Sequence, residues 1–374
     1  MLGCSFLDRY FTIKCCTSFA NLQKKKGFQR SGRKRYKCLN CEKSFSHNKN
    51  KLSPFKELCD FHKLITGKTD RENLWEEKQV SRKTLSVKFK VFFEQFVSPL
   101  NVWRVLPPTL TQTNDPWVLA IDGTWLHRNG VVMIYRDVTH HQNIFWSYHQ
   151  SESYEAIRTD LNTLTTLLGS HQPSGVISDW KGSIVSGVSD YFDHLPHQRC
   201  LIHVLREAKR WLLKRSPFIF TRELRDIALD LIKIKTKREV IDWKARLISW
   251  EKAYGHLLTE KTYSQTEVTK TGPRWWYTHK DLRRAWYLLT NNWYPFFVHL
   301  GHPLIPKDNN SIEGVNSQAK RFLGNHRGMK TPQQVSFLFW YLSFTRTKTK
   351  QDLRKLWDEW KTQKSSELDP QKVT

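Results

Sequence analysis

The chain of 374 residues carries 61 Lys and Arg against 35 Asp and Glu, a formal net charge of +26, with 39% hydrophobic and 13% aromatic residues. That length supports two or three domains with a real core, and 16 Trp exclude a disordered charged tail. Such an excess of positive charge repels itself unless a polyanion neutralises it, which points to nucleic acid, and no apolar run reaches the roughly 18–20 residues of a membrane span.

Residues 1–52 read as a basic module. RSGRKRYKCLNCEKSF predicts a hairpin with a basic turn at Arg33, Lys34 and Arg35 and a Cys38-x-x-Cys41 knuckle. Residues 53–98 change period. FKELCDFHKLIT spaces Phe55, Leu58, Phe61 and Ile65 along one helix that Gly67 ends. TDRENLWEEKQ gives a second helix with Thr69 or Asp70 as N-cap, and SRKTLSVKFKVFFEQF a third capped by Ser81. Three short helices with a tight turn before the last describe a helix-turn-helix. Residues 99–116, with Pro107, Pro108 and Pro116, form a linker.

Strands begin after Pro116. WVLAIDGTWL is a mostly apolar strand ending at Asp122, and VVMIYRDV and NIFWSYHQ continue a meander. SYEAIRTDLNTLTTLLG is an amphipathic helix capped by Ser153. SGVISDW is a short buried strand ending at Asp179, GSIVSGVSDYF a helix, and HLPHQRCLIH a fifth strand. The order β-β-β-α-β-α-β over residues 117–204 is that of the ribonuclease H-like fold, an α/β core with helices flanking one mixed five-stranded sheet. Residues 205–295 show no strand pattern and predict an all-helical, basic, Trp-rich insertion. Residues 296–347 return to the core with IPKDNNSIEGVNSQAKRFLG, a capped helix carrying Glu313, and the apolar helix SFLFWYLSF. Residues 348–374 give a C-terminal helix and a polar tail that is loose after Lys361.

Charge sharpens this division. Residues 1–116 hold 23 basic and 10 acidic residues, whereas 117–203 reverse to 5 and 8. An acidic island in a basic chain fits a cation site inside a polyanion-binding shell, although a solvated acidic face gives the same count. Asp122 and Asp179 stand at the carboxyl ends of two strands, where open α/β sheets build their sites. Glu313 adds a third carboxylate from the first turn of a helix capped by Asn309, Asn310 or Ser311. Oxygen-only donors of this kind suit Mg²⁺ or Mn²⁺, and two ions would serve in-line attack on a phosphodiester. Each acid taken alone also fits a turn or a helix start; the three together favour a site. Lys320 shares the helix face of Glu313, with Arg321 beside it. In the third helix Arg82, Lys83, Thr84 and Lys88 are candidates to meet DNA, although a solvated helix face would carry the same residues. Trp275 and Trp276 could stack on an unpaired base, though a Trp pair is more often core.

IDGT at Asp122, SDW at Asp179, Cys200-x-x-His203, and NNSIEGVN followed by HRGM together resemble the Mutator-type DDE transposases of bacterial insertion sequences. The resemblance implies a ribonuclease H-like core with a helical insertion. It further implies a metal-binding catalytic triad of Asp122, Asp179 and Glu313, and an accessory role for Cys200 and His203. Expected partners are the terminal inverted repeats and target DNA, with the chain acting as a homo-oligomer. Transposases of this kind often begin with a four-cysteine zinc ribbon. Here Cys38 and Cys41 match, and Cys15 and Cys16 stand near the other pair, but Ser18 occupies the fourth position, where a hydroxyl is a poor zinc ligand. The seven Cys, with no signal-peptide pattern at the N-terminus, agree with reduced thiols or metal ligands and a cytoplasmic, nucleoid-associated protein. Two other readings remain: a ribonuclease H-like nuclease acting on branched nucleic acid, and a decayed copy that only binds DNA.

Overall fold

The computed structural model describes residues 23–28, 34–38, 44–46, 54–94, 115–269, 272–326 and 328–367. The chain divides after Lys90 into two units.

In the first unit, β1 (Gln23–Phe28), β2 (Lys34–Cys38) and β3 (Ser44–Ser46) pair antiparallel in that order, so the predicted hairpin is part of a three-stranded sheet. Cys15, Cys16, Ser18 and Cys41 lie outside the described residues, and the ribbon with them. α1 (Pro54–Ile65) buries Phe55, Leu58, Phe61, Leu64 and Ile65, the stripe its period predicts. Asp70 caps α2 (Arg71–Lys78) through the Asn73 N–H at 2.7 Å. That helix stops at Gln79, a left-handed residue with φ 49°. Ser81 then caps α3 (Arg82–Glu94) by accepting the Thr84 N–H at 3.1 Å. Phe61 and Phe89 close the α1–α3 contact with ring centroids 5.3 Å apart.

The second unit is α/β, with a mixed five-stranded sheet and flanking helices compatible with a ribonuclease H-like core. β4 (Val118–Trp125), β5 (Val131–Asp137) and β6 (Gln142–His149) form an antiparallel meander. β7 (Gly175–Ser178) and β8 (His197–Arg199) add to it in parallel, giving the order β6-β5-β4-β7-β8. β5 is buried along its whole length because helices cover both faces. α4 (Tyr154–Leu168), capped by Ser153, packs on α5 (Gly182–Phe192) so closely that a Cβ on Gly187 would meet Ile157 Cγ2 at 2.7 Å. The buried Asp160 ties α4 to the sheet by accepting from Tyr135 Oη at 3.0 Å and from Ser147 Oγ.

α6 (Leu201–Trp211), α7 (Ile219–Asp230), α8 (Lys237–Tyr254) and α9 (Lys280–Thr290) follow, and their shared core includes Leu224, Trp243, Trp250, Trp286 and Phe296. Buried Trp side chains need a partner for their N–H: Trp243 donates to the Ile227 carbonyl and Trp250 to that of Phe220, both at 2.9 Å. The segment is not all-helical, as its lack of apolar alternation suggested. β9 (Lys261–Thr269) and β10 (Gly272–Tyr277) form an antiparallel hairpin between α8 and α9. KTYSQTEVT is rich in β-branched residues, but Lys261 to Glu267 are exposed or only half-buried, so no apolar alternation announces it.

α10 (Asn310–Gly324) carries Glu313, and α11 (Thr331–Thr345) is buried at every position from Val335 to Phe344. α12 (Lys350–Glu367) continues beyond Lys361, where a loose tail was expected, anchored by buried Leu353, Leu356, Trp357 and Trp360.

Candidate active site

β4 is paired on both sides, but unequally. Its antiparallel neighbour β5 follows it to the Trp125–Val131 pair, so the strand does not end at Asp122 as expected but runs three residues further. Its parallel neighbour β7 stops at the Ile121–Ser178 pair. Asp122 is therefore the first residue of β4 beyond the parallel ladder, and Asp179 the first residue beyond β7. Register alone puts the two acids side by side at the carboxyl edge of the sheet.

Asp122 is 7% exposed. Its Oδ1 accepts the Gly123 N–H at 2.9 Å and its Oδ2 the Asn316 side-chain amide at 2.7 Å. Burial pushes its carboxyl up to about 7, and the charges of Asp179 and Glu313 push the same way against those two hydrogen bonds. The three acids thus share one electrostatic neighbourhood. Asp179 accepts the Lys181 backbone N–H at 3.0 Å. Between them Trp180 takes a left-handed φ of 69°, a conformation that costs a non-glycine residue energy. Its ring packs 4.6 Å from that of His197, and Ser178 Oγ accepts its N–H at 3.2 Å.

Glu313 reaches the site because the chain ahead of α10 is clamped to the β8–α6 junction. The Leu201 N–H donates to the Lys307 carbonyl at 3.0 Å, and the Asn309 N–H to Cys200 Sγ at 3.2 Å. The fifth strand is shorter than expected. β8 ends at Arg199, Cys200 is the N-cap of α6, and His203 lies in that helix's first turn, where the amphipathic period starts at Leu201. The Glu313 carboxylate meets Arg206 at 2.7 Å and His203 Nδ1 at 3.5 Å. Ligand atoms of Cys200, His203 and Glu313 all lie within 4.8 Å of one another. Burial, however, pushes the Cys200 thiol up to about 11, which suits a small neutral anchor for Asn309 better than a thiolate ligand.

Asp122, Asp179 and Glu313 are oxygen donors and could hold a hard divalent cation. Two buried oxygens with no hydrogen-bond partner, Glu313 Oε1 and Asn316 Oδ1, fit that use. Asn309 occupies the N-cap position of α10 but makes no capping bond, and both its side-chain polar atoms are buried without a partner. Sequence reasoning missed Asn316 and Arg206. Each stands three residues beyond a residue it did identify, Glu313 and His203, on the same helical face.

The other candidate residues lie on other elements or further along α10. Arg33 lies outside the described residues, while Lys34 and Arg35 lie on β2, Arg35 exposed. Arg82 opens α3, and Lys83 and Thr84 are exposed there, though the Thr84 hydroxyl is 2.9 Å from Ser81 Oγ. Lys88 pairs with Glu57 at 3.5 Å, which commits it to the first unit's own packing. Lys320 and Arg321 are exposed on α10. Trp275 and Trp276 are 44% and 48% exposed on β10, so they are not core. No protein-family model and no curated protein matches the chain. Among the described residues, no helix is long and apolar enough to cross a membrane.

Proposed function

We propose that the chain is a metal-dependent DNA transposase of the DDE type, with Asp122, Asp179 and Glu313 as its catalytic carboxylates. One observation supports this reading above the others: acids from β4, the β7 end and α10, far apart in sequence, converge at one sheet edge so that Asp122 feels both other charges. Within this reading, the segment between α6 and α9 is the insertion of the ribonuclease H-like core, and the N-terminal sheet belongs to a zinc-ribbon-like module that Ser18 leaves one thiolate short of the four-cysteine pattern.

The bound divalent ions would activate the attacking water or 3′-hydroxyl and stabilise the leaving oxygen. The chain's own groups prepare that step. Asn316 fixes the Asp122 carboxylate, the Lys181 N–H fixes that of Asp179, and Arg206 steadies Glu313. Basic Arg35, Lys83, Lys320 and Arg321 supply phosphate contacts, and exposed Trp275 and Trp276 supply stacking surface.

The test uses the gene with its native flanking DNA as substrate. The account expects Mg²⁺-dependent nicking at the element ends and joining of a precut 3′ end to a plasmid, both abolished by Asp122→Ala. Nicking without joining would reduce the protein to a nuclease, and activity unchanged in Asp122→Ala would remove the assigned mechanism.

A further inference from the structure

A second charged group stands at the same sheet edge, and the reaction as described does not use it. Glu152, between β6 and α4, has a side chain only 4% exposed. Its carboxyl lies beside Gly123 of β4, close enough that a Cβ there would make ordinary contact with Glu152 Cδ at 3.7 Å. A buried carboxylate requires a partner. Lys181 provides one, with Nζ 2.6 Å from Oε2. The lysine also lies over the Trp125 ring, 5.2 Å from its centroid. Glu152 Oε1 nevertheless remains buried with no partner in bonding geometry.

The pair is lopsided. Glu152 is sealed, while the Lys181 side chain is 41% exposed. An ammonium has three donors, and Glu152 takes one of them. Lys181 is also the N-cap residue of α5, where the helix dipole disfavours a cation and no side chain caps the first turn. Neutralising a buried acid does not require the ammonium to be half-open to solvent. An additional anion from outside would satisfy its remaining donors. Lys181 is tied to the reaction centre as well, since its backbone N–H is the one that fixes Asp179.

We propose that Lys181 is a substrate-contacting residue whose ammonium, held in place by Glu152 and Trp125, binds a backbone phosphate of the nucleic-acid strand next to the one presented to Asp122 and Asp179. Glu152 is its positioning residue. This rests on the nucleic-acid reading of the site.

The test is the salt dependence of binding to a short duplex taken from the flanking DNA, measured at a fixed Ca²⁺ concentration in place of Mg²⁺, so that a cation meets the carboxylates while binding is read without strand cutting. On a duplex each phosphate contact adds about 0.9 to the magnitude of the slope of log K against log salt. Lys181→Ala should lower the slope by about that amount, and Lys181→Arg should restore it. Glu152→Gln should keep the slope but slow Mg²⁺-dependent nicking, because the contact survives and its aim does not. Lys181→Ala alone leaves a buried carboxylate unpaired, so Glu152→Gln/Lys181→Ala is measured beside it and should show the same reduced slope. An unchanged slope in both, with only a lower melting temperature for Lys181→Ala, would overturn the proposal and leave a structural ion pair. Absence of salt-dependent binding by the unaltered protein would instead overturn the nucleic-acid reading itself.

Discussion

At Asp122 three effects meet in one carboxyl group: burial, the charges of two neighbouring acids, and two hydrogen bonds that hold the ionised form in place. Removing one of those bonds should expose the balance. Asn316→Ala takes away the 2.7 Å amide contact without touching any of the three acids. By analogy with the partners that orient metal ligands, nicking should fall roughly 10–100-fold, with the fold retained by circular dichroism. A rate within twofold of the unaltered protein would show that the contact is incidental. His197 carries a different signature. Burial pushes its imidazole down to about 4, below the ordinary value of 6.5. Below pH 6.5 the unfolded chain takes up a proton that the folded chain refuses. The stability is therefore fully present above that pH and declines as pH falls towards 4, by at most about 3 kcal/mol. Melting temperatures across that range should fall less steeply in His197→Gln, which can still meet Ser178.

Among the elements, the β9–β10 hairpin is where sequence reasoning and structure part most clearly. Trp275 pairs in register with Tyr263, which is 56% exposed, and Lys261 stands over the Trp275 ring at 3.9 Å. An exposed aromatic and cationic surface of this sort binds single strands by stacking, at about 1–3 kcal/mol per base. Trp275→Ala/Trp276→Ala should leave the melting temperature unchanged and weaken binding of a single-stranded oligonucleotide at least tenfold; unchanged affinity would remove the hairpin from the interface. The elements around it were legible for a reason that does not apply to the hairpin. α1, α4 and the strands β4 to β7 bury one stripe or a whole strand, so their apolar period is written in the residues. Lys261 to Glu267 and Arg274 to Tyr277 of the hairpin are exposed or half-buried and leave no such period. Asp179 follows a strand end that the apolar run of β7 announces, whereas Asp122 was singled out from a strand end that lies three residues further on, and Glu313 from a cap that Asn309 does not make. Asn316, Arg206, Glu152 and Lys181 could not be placed, because their roles depend on which elements meet across the sheet edge.

For the whole molecule, the chain carries a net charge of +26, while Asp122, Asp179, Glu313 and Glu152 collect at one edge of the second unit's sheet. A basic chain draws in a polyanion, and a cluster of acids repels it unless cations intervene. The account therefore stands or falls on whether those carboxylates bind metal during strand cleavage. Replacing Asp122 with a softer ligand asks this directly: Mg²⁺ accepts thiolate poorly, and Mn²⁺ tolerates it better. The decisive measurement is the nicking rate of Asp122→Cys on the flanking-DNA substrate in Mg²⁺ and in Mn²⁺. The account predicts loss in Mg²⁺ and substantial recovery in Mn²⁺. Full activity in Mg²⁺, or the same residual rate in both metals, would contradict it.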